Sequence, residues 1–348
     1  MNKSLTFPPY GRMVAEFEER VGQGEPPTDW NADDNWPLWR DKMLEIITTL
    51  LWPVYDFSTL SWQGPATTRM LGLTEADFEL FTGLRPYNRQ DVPGLAKPRQ
   101  HFELFQMEDH AEDKLDHDAG VDRGVDLTLR YYLEGHADKL TTDTLANWVE
   151  SGMLRKAGGL PVQLKQFLQR PRAYQMSDSM GKSWFTYHQA LQSVSPSMIS
   201  GHCFKGCTLG MAAVYHATAL GCEPRVFDAL TRLCVDFGDR RVFAGVHYPS
   251  DNLSSWITAM LIAKHVCAAD SGRLGRKFLW NAISTKSVVH AAIGNAIALG
   301  QAPDHAPAFE LLNQLGANPD MDIDDALAFA KSIAKPRSEP LSPANAAE

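Results

Sequence analysis

The sequence predicts an all-α protein, a core helical bundle with an additional helical region on its N-terminal side. Three observations predict it. Apolar residues recur at helical spacing through most of the chain after Asp126. Strand-type alternation is nearly absent. With 348 residues, 44% of them hydrophobic, the chain has enough apolar material for a sizeable core.

From the N-terminus, residues 1–35 are rich in proline, glycine and acidic side chains and read as an extended arm. From Trp36 to Trp62 the pattern becomes helical and aromatic. Residues 63–100 carry turn signals at Gly64-Pro65, Arg85-Pro86, Val92-Pro93-Gly94 and Lys97-Pro98. The acidic stretch Glu108–Asp122 contains His110 and His117, which raises the question of a metal. Its Asp116, Asp118 and Gly120 do not keep calcium-loop spacing, so a solvated loop or helix face is expected. Helices are then expected at Asp126–His136, Thr141–Lys156, Pro161–Leu168, Lys182–Gln192, His202–Leu220, Glu223–Asp236, Pro249–Ala268, Gly275–Ala282, Ser287–Leu299, Pro307–Leu315 and Ile323–Ala334. The tail from Lys335 has a disordered composition. The expected organisation is an arm and helical region over 1–125, a catalytic bundle over 126–300, C-terminal helices over 301–334 and a disordered tail over 335–348.

Charge narrows the partners. A formal net charge of -9 argues against nucleic acid, whose phosphates need a basic surface. No run approaches a transmembrane span: Met43–Trp62 is interrupted by Glu45, Pro53 and Asp56, and Trp256–Ala263 is closed by Lys264. The opening MNKSLTFPPYGRMV has no signal-peptide core. The five cysteines (Cys203, Cys207, Cys222, Cys234, Cys267) are odd in number and scattered, which fits a reducing cytoplasm. Cys203 and Cys207 share one face of a helix and read as small buried hydrophobes rather than redox or metal groups.

Three segments carry chemistry. In the first, Lys165 and Arg172 lie about two helical turns apart, and Pro171 favours a break that turns Arg172 inward. The plain alternative is a solvated basic face made by Lys165, Arg170 and Arg172. In the second, Ser200 stands where an N-cap belongs, just before a long apolar helix. The free amides of that first turn, Gly201 among them, suit an anion, and His202 is within reach to move protons. The alternative is an ordinary cap beside a chance histidine. The third segment is Arg241-x5-His247-x3-Asp251. Asp251 in the first turn after Pro249 can reach back to His247, and a carboxylate on Nδ1–H leaves Nε2 bare. A structural His–Asp pair is the alternative there. Lys165, Arg172 and Arg241 would form a local positive site in an acidic protein, able to draw in a small anion.

In order, these segments read KQFLQRPRA, PSMISGH and RRVFAGVHYPSD. They resemble the superfamily that joins type 2 phosphatidic acid phosphatases, bacterial class A acid phosphatases and vanadium-dependent haloperoxidases. Its signature is K-x6-R-P, P-S-G-H and S-R-x5-H-x3-D. Lys165, Arg172, Ser200, Gly201, His202, Arg241, His247 and Asp251 all match, across roughly residues 160 to 265. Ala173, Ile199 and Arg240 depart from the usual Pro, Pro and Ser.

The resemblance implies a metal-independent phosphatase acting on a phosphate monoester, or a lipid or prenyl phosphate, with no cofactor required. Lys165, Arg172, Ser200, Gly201 and Arg241 would hold the phosphate. His247 would attack phosphorus, oriented by Asp251, and His202 would serve the leaving group and then water. The alternative it implies is a haloperoxidase with vanadate bonded to His247, oxidising halide with hydrogen peroxide. Ser195 and Val162 stand where some haloperoxidases carry an aromatic or histidine, which leans toward phosphatase. A non-catalytic oxyanion sensor is a third reading, although binding alone would not need His202, His247 and Asp251 together. Six of nine tryptophans (Trp30, Trp36, Trp39, Trp52, Trp62, Trp148) lie in the first 150 residues. Core packing or a homo-oligomer interface is their default explanation, with an aromatic wall for an apolar leaving group behind it.

Overall fold

A computed structural model describes residues 36–52, 54, 153–168, 170, 172–173, 196–243, 246–266 and 269–334. The fold is all-α. Among the described residues the elements are α1 (Trp36–Leu51), α2 (Met153–Leu168), α3 (Gly201–Ala219), α4 (Pro224–Phe243), α5 (Pro249–Val266), α6 (Ala269–Lys286), α7 (Val288–Ala298), α8 (Ala306–Ala317) and α9 (Ile323–Ile333). The helices expected at Asp126–His136 and Lys182–Gln192, the acidic stretch with His110 and His117, and the boundary between 125 and 126 lie outside the described residues.

Helix α5 is the axis of the bundle and packs against α3, α6, α7, α8, α2 and α1. From Pro249 to Ala263 it is buried on every side. Leu253, Trp256, Ile257, Met260 and Leu261 supply the apolar part of the core. Its polar residues are tolerated because their hydroxyls are bonded. Ser254 donates to Asp251 O (3.0 Å) and Thr258 to Ser254 O (2.7 Å).

Helices α3 and α4 approach closely through glycine. A β-carbon at Gly210 would overlap the Cys234 sulfur, and one at Gly238 would lie 2.6 Å from Cys203 Sγ. Cys203, Cys207 and Cys234 are buried free thiols, and burial pushes those of Cys207 and Cys234 up. They fill the α3–α4 seam as small apolar groups.

At the other side, α1 packs along α9 and also touches α8 and α2. Trp39, Met43, Ile46, Ile47 and Leu50 join the main core. The exposed edge is paired by Lys42 with Asp324 (2.6 Å) and Lys331 with Glu45 (2.6 Å). Helix α9 begins with an Asp322–Asp325 capping box. Buried Arg276 latches α6 to α5 through Met260 O (2.8 Å), and to the turn before α9 through Pro319 O and Met321 O (2.9 and 2.8 Å).

Three helix boundaries differ from expectation. Helix α2 runs unbroken through Pro161, where a new helix was expected to start. Proline removes one backbone donor, but Leu160, Leu164 and Leu168 are fully buried on the same face and hold the helix together. Helix α4 does not stop at Asp236. It continues through Gly238, Asp239, Arg240 and Arg241 to Phe243, because these charged residues are buried with partners rather than solvated. Helix α6 likewise extends beyond Gly275–Ala282, to Ala269–Lys286.

Candidate functional site

The three segments meet where α2 ends, α3 begins and the α4–α5 turn closes. Hydrogen bonds tie the three together. Ser197 N donates to Arg170 O (2.8 Å), which joins the chain after α2 to the chain before α3. Val246 N and His247 N both donate to Arg241 O, at 3.2 and 3.3 Å, so the last turn of α4 fixes the backbone of His247. Ser255 Oγ lies 3.1 Å from Ser200 O and 2.7 Å from Asp251 O, which joins the start of α3 to α5.

Lys165 sits in the last turn of α2 and is buried. Its ammonium donates to Pro196 O and, at 3.2 Å, to Ser197 O. Burial, and after it the charge of Arg172, pushes the ammonium well below the usual lysine range, while Asp251 pulls the other way. Arg172 lies beyond the helix end and is buried too. Its Nη1 donates to Val246 O (3.0 Å) and meets His247 Nε2 at 2.8 Å. Arg241 is buried at the C-terminus of α4, close enough to act on both Lys165 and His247. The basic segment is therefore no solvated face: Lys165, Arg170 and Arg172 all point inward.

Ser200 precedes α3 and accepts from Cys203 N at 3.3 Å, an N-cap bond. Gly201 and half-buried His202 form the first turn of the helix. The His202 ring packs against Phe237 at a centroid distance of 5.2 Å.

His247 is held in one tautomer. A guanidinium has no acceptor, so the contact with Arg172 requires Nε2 to accept. Nδ1–H then donates to Asp251 Oδ2 at 3.0 Å. Burial holds the imidazole well below its ordinary pKa, reinforced by Arg172, Lys165, Arg241 and His202. The result is a neutral ring whose unprotonated nitrogen accepts from Arg172. Asp251 Oδ2 also accepts from Tyr248 N (3.0 Å), which locks the turn.

Sequence reasoning missed one member. Arg170 is fully buried, bonds Ser250 Oγ (2.6 Å) and pairs with Asp251 Oδ1 (3.1 Å). Its guanidinium also lies 3.8 Å from the centroid of the Tyr248 ring. The signal was a second arginine inside the first segment, next to Pro171. Of the three departures from the signature, Ala173 and Ile199 are fully buried apolar residues. Arg240 is buried with its guanidinium 5.2 Å from the Phe237 ring, the ring that His202 also packs against. Among the described residues, no group of three His, Cys, Asp or Glu side chains is placed to hold a metal ion. No helix among them is long and apolar enough to cross a membrane.

The family model of the PAP2 superfamily matches residues 151–273, a span that contains all three segments. No curated protein matches the chain, and no solved structure does.

Proposed function

We propose, from the PAP2-superfamily identity of residues 151–273, that the chain is a phosphatase. It hydrolyses a phosphate monoester through a phosphohistidine on His247. One observation carries this reading. His247 is neutral, its Nδ1–H is fixed by Asp251, and its bare Nε2 stands against Arg172 with Lys165 and Arg241 close by. A residue that only tied a loop to a helix would not need its second nitrogen held against Arg172, with two more basic side chains close enough to act on the ring.

In the reaction, Lys165, Arg172 and Arg241 take the non-bridging oxygens, helped by Ser200 and the Gly201 amide at the start of α3. Arg172 moves its bond from Nε2 to the arriving oxyanion, which frees the lone pair. The new negative charge also restores the Lys165 ammonium, which burial disfavours in the free site. Nε2 attacks phosphorus in line and the ester P–O bond breaks. His202 gives its proton to the leaving oxygen. Water then attacks the phosphohistidine, His202 takes a proton from it, and phosphate leaves with the His247 ring neutral again. Asp251 offsets the positive charge on the ring while the phosphoryl group is attached.

The same donors fit vanadate, with His247 Nε2 as its ligand and the cations on its oxygens; when bound it would activate peroxide toward halide. The test is therefore a paired assay. The untreated protein is given an aryl phosphate, and the vanadate-loaded protein is given halide and hydrogen peroxide. Hydrolysis that disappears in His247→Ala, without halide oxidation, is the expected result. Turnover only with vanadate and peroxide would replace the phosphatase reading with a haloperoxidase. Neither activity would leave an oxyanion-binding protein.

A further inference from the structure

We infer that Arg170 is a positioning residue that sets His247 through Asp251, and that it does not itself hold the phosphate. The role rests on the phosphatase reading for its effect on turnover, but its structural half stands apart from any activity.

Asp251 is the group that Arg170 serves. Its carboxylate is fully buried at the start of α5, yet it must stay ionised to accept from His247 Nδ1–H and Tyr248 N on Oδ2. An ionised carboxylate without a cation is strongly disfavoured in such a place. Arg170 supplies that cation on the other oxygen, Oδ1. The two oxygens are thus divided: Oδ2 faces the turn that carries His247, and Oδ1 faces Arg170. The carboxylate cannot rotate without breaking one set.

Arg170 is itself fixed from three sides. Ser250 Oγ holds Nη1, the Tyr248 ring lies against the guanidinium, and its own carbonyl accepts from Ser197 N. These contacts come from the α4–α5 turn, from α5 and from the chain before α3. Arg170 therefore registers the His–Asp pair against the loop that ends in Ser200. Arg172, two residues on, meets Nε2 at 2.8 Å. The two arginines of one segment clasp the two nitrogens of His247, Arg172 directly and Arg170 by way of Asp251. The lysine-and-arginine cradle keeps its own three cations whether or not Arg170 is present. Loss of Arg170 is accordingly expected to lower kcat while leaving KM for a small phosphate ester unchanged.

The test uses the full chain with Arg170→Met, Asp251→Asn and the double variant. An aryl phosphate reports kcat and KM, and nitrogen NMR of labelled histidine reports the His247 tautomer without substrate. Arg170→Met is expected to lower kcat about 10- to 100-fold at constant KM, the usual scale for a group that orients a reacting ligand from behind. Its His247 should lose the pure Nδ1–H form expected of the parent protein. The double variant should be no worse than Asp251→Asn alone, because the arginine has then lost the group through which it acts. Losses that multiply would overturn the proposal, as would a rise in KM at constant kcat, which would put Arg170 on the phosphate. Should Arg170→Met fail to fold, Tyr248→Leu is compared with Tyr248→Phe. Phe keeps the ring under the guanidinium and should behave as the parent, whereas Leu should lower kcat and mix the tautomers. Equal behaviour of the two would contradict the role. If the parent protein hydrolyses nothing, the function proposal fails, and the tautomer measurement alone decides for or against Arg170.

Discussion

The Arg170–Asp251 pair has both side chains fully buried, whereas Lys42–Asp324 leaves its side chains 24% and 66% exposed on the α1–α9 seam. The separations are similar, 3.1 and 2.6 Å, yet the two pairs do different work. At the site, apolar packing cannot set a carboxylate against a particular nitrogen of a particular ring, so buried charge does it. Water cannot screen that charge, and removing one partner strands the other, at a typical cost of about 3–5 kcal/mol. Along the seam, Met43, Ile46, Ile47 and Leu50 already specify the contact. The ion pairs at its rim add about 1 kcal/mol or less. Geometry for chemistry is held by charge, and geometry for assembly by apolar surface.

Four substitutions sharpen that contrast. Asp251→Asn is expected to give the largest effect: kcat for an aryl phosphate falls by about 10³–10⁴, as for other histidines that lose the carboxylate fixing their tautomer. A drop of less than about tenfold would mean that Asp251 serves only the fold. Ile46→Ala comes next and touches stability alone. It removes a fully buried side chain from the seam. A loss of about 2–5 kcal/mol in urea unfolding is expected, with kcat per folded molecule intact.

The third concerns Asp239. This buried carboxyl accepts from Ser287 Oγ (2.9 Å), Val288 N (2.8 Å) and Val289 N (3.3 Å) at the start of α7, and from Asn252 Nδ2 (3.3 Å) beside Asp251. Among the described residues, no ion pair accompanies those bonds. Burial, with the charge of Asp236 behind it, pushes Asp239 up to about 7. A raised carboxyl binds more protons in the native state than in the unfolded chain. Its contribution is therefore present at low pH and is lost as pH rises from about 4 to about 7. His290, amid Trp256, Trp280 and Phe309, is pushed down by burial to about 4. Its contribution runs the other way, lost as pH falls from about 6.5 to about 4. Asp239→Asn should make the protein gain stability, relative to the parent, on going from pH 5 to pH 8. Identical pH profiles of the unfolding midpoint would refute this. The smallest effect is expected from Lys42→Ala: a change within about 1 kcal/mol, weaker still at high salt, and no change in hydrolysis.

The same contrast explains what was legible in the sequence. Apolar periodicity announces a seam, so the bounds expected from sequence for α7, α8 and α9 agree with the structure to within a few residues. The residues of the three segments could be listed because their spacing is characteristic as an ordered set. Buried charge is harder to read. Gly238, Asp239, Arg240 and Arg241 carry no apolar periodicity, and only tertiary partners reveal two further turns of α4. Arg170 looks like a solvated neighbour of Pro171, since nothing local says that Ser250 and Asp251, some 80 positions on, will enclose it. Pro161 looks like a helix start until Leu160, Leu164 and Leu168 are seen to pack together on one face. Charged residues acquire their meaning from what folds over them.

The proposed hydrolysis passes through a covalent phosphoryl group on His247 Nε2. Rapid quenching of the protein during turnover of an aryl phosphate, followed by alkaline digestion and mass spectrometry, tests it most directly. One acid-labile phosphoryl group is expected on Nε2 of His247, absent in His247→Ala and longer-lived in His202→Ala, which loses the proton carrier for water attack. Turnover with no phosphorylated His247, or with the label on another residue, would contradict it.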